Sequence, residues 1–248
     1  MSAVTWSTIA SLATALGTLI LAVATFSAVR SSNLMAKVAQ QQLLVQLRPI
    51  LTTTRREDPV IKVNFGDEKW VHIPGGGAVG EVGPGEGSLG PDTPVVFLAF
   101  GLRNAGSGIA VLHGWRFFPG WRRDTEHAPL EEFQRQNRDL YIPTGDIGFW
   151  QGAFRDTGDA GYDDARKSIE AGEPWTVELL YGDHEGGQRV VTRFTALPRI
   201  ATAADAHTDA DAHTDAAADT DADADADAGL AYLATASRHW NIDQPDPR

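Results

Sequence analysis

Three residue types that bind metals or move protons stand in a row at Asp183-His184-Glu185. A metal site needs such side chains to converge, yet consecutive residues of an extended chain point to alternate faces. The neighbouring Gly186-Gly187 reads as a tight turn, so the three are expected at a solvated hairpin tip. His113, two residues before Trp115, and Asp146 in the stretch GDIGFWQG are the other candidates for acid-base work. None has a partner nearby in sequence, so an active site built from Asp146, His113, Asp183 and His184 would have to be assembled by the fold. Trp121-Arg122-Arg123 could stack on a ligand through its aromatic and guanidinium faces, or form a loop with one packed ring.

Other motifs fail on their context. Gly85-Glu-Gly-Ser-Leu-Gly90 has the spacing of a dinucleotide loop. That loop must open a helix whose N-terminal N–H groups meet the pyrophosphate, and Pro91 and Pro94 do not allow one. Asp223, Asp225 and Asp227 begin a calcium-loop pattern, but Ala228 stands at its glycine position and Ala234 at its bidentate carboxylate position. The chain has no Cys, which removes thiolate metal ligands, thiol nucleophiles and disulfides. No residue is assigned to catalysis, to a cofactor or to a metal, and no cofactor is expected.

Charge narrows the partners. The formal net charge is -12, from 33 acidic and 21 basic residues, but nine of the Asp lie between Asp205 and Asp227. Without them the balance is 24 against 21, a net of -3. The acidity belongs to one Asp/Ala-rich segment whose near-repeats offer almost nothing to bury, so residues 201–229 read as a disordered spacer. No basic stripe points to nucleic acid.

The elements that must carry any site begin with an apolar run. Residues Thr8 to Val29 contain no charged side chain, and about 20 such residues as helix span a bilayer core. Ala22-Val23-Ala24 imitates a signal-peptidase site. The run is longer than a signal core, however, and no Lys or Arg precedes it, so residues 1–30 read as an uncleaved transmembrane anchor in contact with lipid over residues 8–29. Arg30, Lys37 and Arg48 follow the run, which puts the C-terminal side in the cytoplasm of a single-pass plasma-membrane protein. Ala13 and Gly17 have the small-residue spacing that lets two spans pair, a route to a homo-oligomer. The helical pattern continues through residues 31–48 and Pro49 ends it.

Beyond Pro49 the hydrophobic period becomes two. Hairpins are expected at Val60–Ile73 and at Pro174–Leu197, strands at Val95–Arg103, Ile109–Phe118 and within Ile142–Phe154, and short helices around Leu130–Leu140 and Asp163–Ala171. The Gly-rich stretch Gly75 to Asp92 reads as an exposed, mobile loop without helix. Residues 49–200 are therefore expected to form an antiparallel, immunoglobulin-like β-sandwich with one or two short helices. Residues 230–248 regain apolar character, and Leu230 to Trp240 is expected to return as a strand beside Gln188–Leu197. A free tail and a docked helix are the alternatives.

The stretches DPVIKVNFGDEKWVHIPGGG, LRNAGSGIAVLHGW, RDLYIPTGDIGFWQG, LLYGDHEGGQRVVTRF and SRHWNIDQPDPR resemble a set of uncharacterised bacterial single-pass membrane-anchored proteins with a β-rich C-terminal domain. The resemblance covers nearly the whole chain except the Asp/Ala run. It implies the anchor and the order of motifs, and brings no activity, cofactor or catalytic residue. The Asn104-Ala-Gly-Ser-Gly108 turn resembles turns of immunoglobulin-like binding modules. The functional expectation is a membrane-tethered binding or scaffolding module with a protein partner. The alternatives are a membrane-anchored enzyme with a spatially assembled site, or an extracytoplasmic binding domain if the topology is reversed.

Overall fold

A computed structural model of the protein describes residues 3–66, 69–85, 93–138, 140–199 and 230–243. The Asp/Ala run and most of the Gly85–Gly90 motif lie outside these residues. The chain divides into two units, Met1–Gln46 and Leu47–Arg248.

The first unit is one helix, α1, Ala3–Gln46. Its stretch Trp6–Leu43 has a mean hydropathy of 2.0 and is long and apolar enough to cross a membrane. The hydroxyls within it do not spoil that character. Ser11 donates to Ser7 O, Thr14 to Ala10 O and Thr25 to Leu21 O, at 2.8–2.9 Å, so each is satisfied by its own helix.

The second unit is an antiparallel β domain. Its strands are β1 Leu51–Thr53, β2 Ile61–Asn64, β3 Trp70–Ile73, β4 Gly77–Gly83, β5 Val95–Asn104, β6 Ala110–Pro119, β7 Gln134–Arg135, β8 Tyr141–Ile142, β9 Ile147–Phe154, β10 Trp175–Asp183, β11 Arg189–Pro198 and β12 Leu230–Asn241. Helix α2 of this unit runs Tyr162–Glu170. Strands β2 and β3 form a separate hairpin, and the other ten form one sheet ordered β1-β5-β4-β12-β11-β10-β6-β7, with β9 paired to β5 and β8 to β6. This sheet curls until its ends face each other. Trp115 on β6 packs edge-on against Trp150 and Phe154 on β9, with centroids 5.3 and 5.2 Å apart. Phe100, Phe117, Phe194, Trp175 and Tyr232 complete the buried aromatic interior.

Two sequence expectations are corrected. The Gly-rich stretch is not a loop throughout: Gly77–Gly83 is strand β4, its first four residues buried, hydrogen-bonded between β5 and β12. The glycines are there for packing. A Cβ on Gly80 would stand 2.3 Å from Ile169 Cδ1 of α2 and 3.4 Å from Trp175 Nε1, so α2 seats directly on the strand backbone and no apolar side-chain period is needed. The helix expected around Leu130–Leu140 is a 3-10 turn, Leu130–Glu132, followed by the short strand β7. Leu230–Asn241, by contrast, is a strand beside β11, with Phe194 opposite Ala236 and Leu197 opposite Leu233.

The Asn104–Gly108 turn holds the chain where it enters the domain. Asn104 Oδ1 accepts from the N–H groups of Ile50 and Gly106, and its amide donates to Gly108 O and Ile142 O. A Cβ on Gly108 would sit 1.8 Å from Leu47 O, so only glycine allows the two backbones to lie this close.

Candidate functional site

The fold brings some of the sequence candidates near one another. His113 lies at the irregular pairing of β6 and β10, where a Cβ on Gly182 would meet its Nε2 at 3.0 Å and Arg189 Cγ at 3.6 Å. Partial burial pushes its imidazole below the ordinary range; the Arg189 charge adds to this and Asp183 opposes it. Asp183 is buried and spends its backbone and one carboxylate oxygen on the hairpin: it donates to Gln188 O, while its main-chain O and Oδ1 accept from Gly186 and Gly187. His184 Nε2 and Glu185 Oε1 lie 3.4 Å apart at the exposed tip. Asp146 is exposed and its Oδ1 accepts from Ile147 N–H. Among the described residues no hydrogen bond or ion pair joins Asp146 to His113, Asp183 or His184, and no three His, Cys, Asp or Glu side chains converge as metal ligands.

A second cluster was not anticipated. Glu178 on β10 and Arg193 on β11 are directly opposite in the ladder and almost wholly buried, with side-chain exposures of 0% and 2%. Arg193 Nε and Nη2 donate to Glu178 Oε1 at 2.9 and 2.6 Å. The loop 120–129 is strapped over this pair. Arg193 also donates to Asp124 O and Glu126 O, Ala128 N–H donates to Glu178 Oε2, and Trp240 Nε1 donates to Thr125 O. Burial pushes the Asp124 carboxyl up, but Arg122 and Arg193 reverse this and hold it below its ordinary value. Arg122 lies over the Phe118 ring at 4.0 Å and Arg123 over Trp121 at 4.8 Å. The Trp-Arg-Arg stretch thus divides: Arg122 serves the strap, and Trp121 stays exposed. Every polar group of the buried pair is engaged within the protein, so this cluster is structural.

One concave feature open to a ligand lies at the seam where β9 approaches β7. Its volume is about 310 Å³. The floor is Trp115, Phe65 and Gly152, all buried. One wall is the segment 134–138, held to β6 by Gln136 N–H donating to His113 O at 3.0 Å. The Gln136 side chain crosses the seam, donating to Gln151 O on β9 at 3.2 Å and to Arg138 O at 2.9 Å. Opposite stand Gln151, Ala153 and Arg155. Arg155 Nη2 donates to Phe65 O at 3.0 Å, and Arg138 Nη1 would lie 3.5 Å from a Cβ on Gly66. Two guanidinium groups therefore flank the same Phe65–Gly66 corner, and Arg135 and Asn137 stand at the exposed rim.

The lining consists of amides, guanidiniums, aromatic rings and small residues. Among the described residues it contains no carboxylate, imidazole, hydroxyl or thiol, the groups that would transfer a proton or attack a substrate. Its chemistry is that of recognition: fixed donors and acceptors over an apolar floor. Little in the sequence pointed to it, because its residues come from four separated segments and the stretch Gln134–Arg138 imitates a polar helix face.

Comparison with protein-family models, with curated proteins and with solved structures finds no match to this chain.

Proposed function

We propose that this chain is a single-pass, membrane-tethered binding or scaffolding module, with α1 as the anchor and the β domain held at the cytoplasmic face. The seam pocket carries the reading, since its lining can recognise a ligand and holds no group suited to proton transfer or attack. The apolar helix supports the tether, and Arg30, Lys37 and Arg48 after the apolar run support the cytoplasmic side. Lipid contact over residues 8–29 and pairing of spans through Ala13 and Gly17 belong to the same proposal, as do a protein partner and kinship with the bacterial membrane-anchored proteins that the sequence resembles. The immunoglobulin-like sandwich enters as a fold-level analogy: two walls of the sheet face each other across an aromatic core, as the layers of a sandwich do. The enzyme reading draws on Asp146, His113, Asp183 and His184; among the described residues His113 stands beside Asp183, and no hydrogen bond or ion pair joins Asp146 to either of them or to His184.

Because the chain has no Cys, a single introduced thiol reports its own location. Thr157 is exposed on the loop before α2. With Thr157→Cys, a membrane-impermeant maleimide is expected to label the protein only after cells are opened, and the protein should stay in the membrane fraction after a carbonate wash. Labelling on intact cells would place the domain outside, and release by carbonate would remove the anchor.

A further inference from the structure

Building on this binding reading, we propose that the seam pocket recognises a phosphoryl group, held at the Phe65–Gly66 corner with the rest of a small ligand lying across the amides toward Trp115. Arg135 and Arg138 bring two exposed permanent positive charges, beside the part-buried Arg155 that donates to Phe65 O, to one opening of about 310 Å³ whose lining among the described residues offers no carboxylate. This concentration of cations occurs in a chain whose formal net charge is -12. Arg193, Arg103, Arg166 and Arg189 each have a carboxylate partner within 2.6–2.8 Å, which shows how this protein ordinarily compensates guanidinium charge. Among the described residues Arg135 and Arg138 have no such partner. Their planar forks offer paired N–H donors that match the oxygens of a phosphoryl group.

Several like charges converging on one concave site repel each other, and a dianion relieves that repulsion better than a monoanion. This selects phosphoryl over carboxylate. The pocket's volume fits a ligand of metabolite size, and the side-chain amides of Gln134 and Asn137 supply donors and acceptors for its uncharged part, with Gln136 Oε1 as a further acceptor. A soluble phosphorylated metabolite and the headgroup of an anionic lipid share this chemistry.

The full chain in phosphatidylcholine nanodiscs is to be titrated with sodium pyrophosphate, with glucuronate as the carboxylate comparison, while amide hydrogen exchange is followed over residues 134–138 and 151–155. Saturable protection by pyrophosphate is expected, with binding weakened about tenfold or more in Arg138→Gln and in Arg135→Gln. Both side chains are exposed and make no hydrogen bond among the described residues, so these variants are expected to keep the fold. Arg189→Gln, which loses only its pair with Asp243 at the far hairpin, should bind as the parent does. A second set of nanodiscs containing phosphatidic acid separates the sources. Protection in these discs without added pyrophosphate, lost in the same two variants, assigns the site to a lipid headgroup; protection by soluble pyrophosphate alone assigns it to a metabolite. No saturation by either source below about 10 mM phosphoryl groups, or binding unchanged in Arg138→Gln and Arg135→Gln, overturns the proposal. Glucuronate binding as tightly as pyrophosphate overturns the phosphoryl assignment and leaves the binding module standing.

Discussion

Ending the chain after Arg199 is expected to leave the β domain unfolded. Strand β12 is not an edge: it is hydrogen-bonded to β11 along nearly its whole length and to β4 at its start. Its loss would open two unpaired strand edges in the middle of the sheet and empty the place of Tyr232, a fully buried ring 5.7 Å from Trp175. Removing one such ring from a core costs about 3–5 kcal/mol, of a total stability of roughly 5–15 kcal/mol, before any ladder hydrogen bond is counted. Excising residues 201–229 instead, with a short linker left in place, keeps β12. On the sequence expectation that residues 201–229 are a disordered spacer, shortening this connection from about 29 residues to about five should stabilise the domain by roughly 1.5 kcal/mol through loop-closure entropy. Thermal melts followed by near-ultraviolet circular dichroism distinguish the two: no cooperative transition for the truncated chain, an equal or higher midpoint for the excised one. A truncated chain that melts like the parent would mean that β12 does not contribute to the sheet's stability.

Arg193→Met is expected to cost roughly 3 kcal/mol, because it leaves the buried Glu178 carboxylate with only Ala128 N–H and Arg122 Nη1 at 3.9 Å in place of its guanidinium partner. The double variant Glu178→Leu/Arg193→Met should recover most of that loss, since an apolar pair of similar volume replaces two desolvated charges. It should not restore the strap. The carbonyls of Asp124 and Glu126 lose their donor in both variants, and in the double variant Ala128 N–H also loses its acceptor. Denaturant midpoints are therefore expected to fall in the single variant and return in the double, while proteolysis within 120–129 stays faster than in the parent in both. A single variant as stable as the parent would show that the pair contributes nothing.

How far the sequence revealed this protein differs from element to element. Strand β12 was readable because Tyr232 and Ala234 alternate with polar or exposed neighbours, a period that one buried face imposes. The Glu178–Arg193 pair also left a trace. Aligning the hairpin expected at Pro174–Leu197 about its turn sets these two opposite charges facing each other in otherwise apolar strands. Strand β4 left none, because its burial is achieved by the absence of side chains: helix α2 lies against glycine backbone, and a pattern built on side-chain hydrophobicity has nothing to register. The seam pocket was hidden for a different reason. Phe65, Trp115, Gln134–Arg138 and Gln151–Arg155 become neighbours only when the sheet curls, and curling is set by the aromatic interior as a whole. His113 and Asp183 were singled out by residue type. In the fold Asp183 closes a turn and His113 stands beside it, an outcome that residue type alone could not distinguish from catalysis.

The central claim, that a membrane-tethered domain uses its seam pocket to bind, is tested most directly by thiol accessibility at the pocket's rim. Asn137 is exposed and lines the opening. Asn137→Cys is to be compared with the remote reference Thr157→Cys in the same membranes. With cell contents present, Cys at position 137 is expected to react about tenfold more slowly than the reference, the protection given by a site mostly occupied by its ligand. After the membranes are washed free of soluble contents and carried through detergent into phosphatidylcholine nanodiscs, the two rates should converge. Equal rates at the two positions before and after that exchange would contradict the claim.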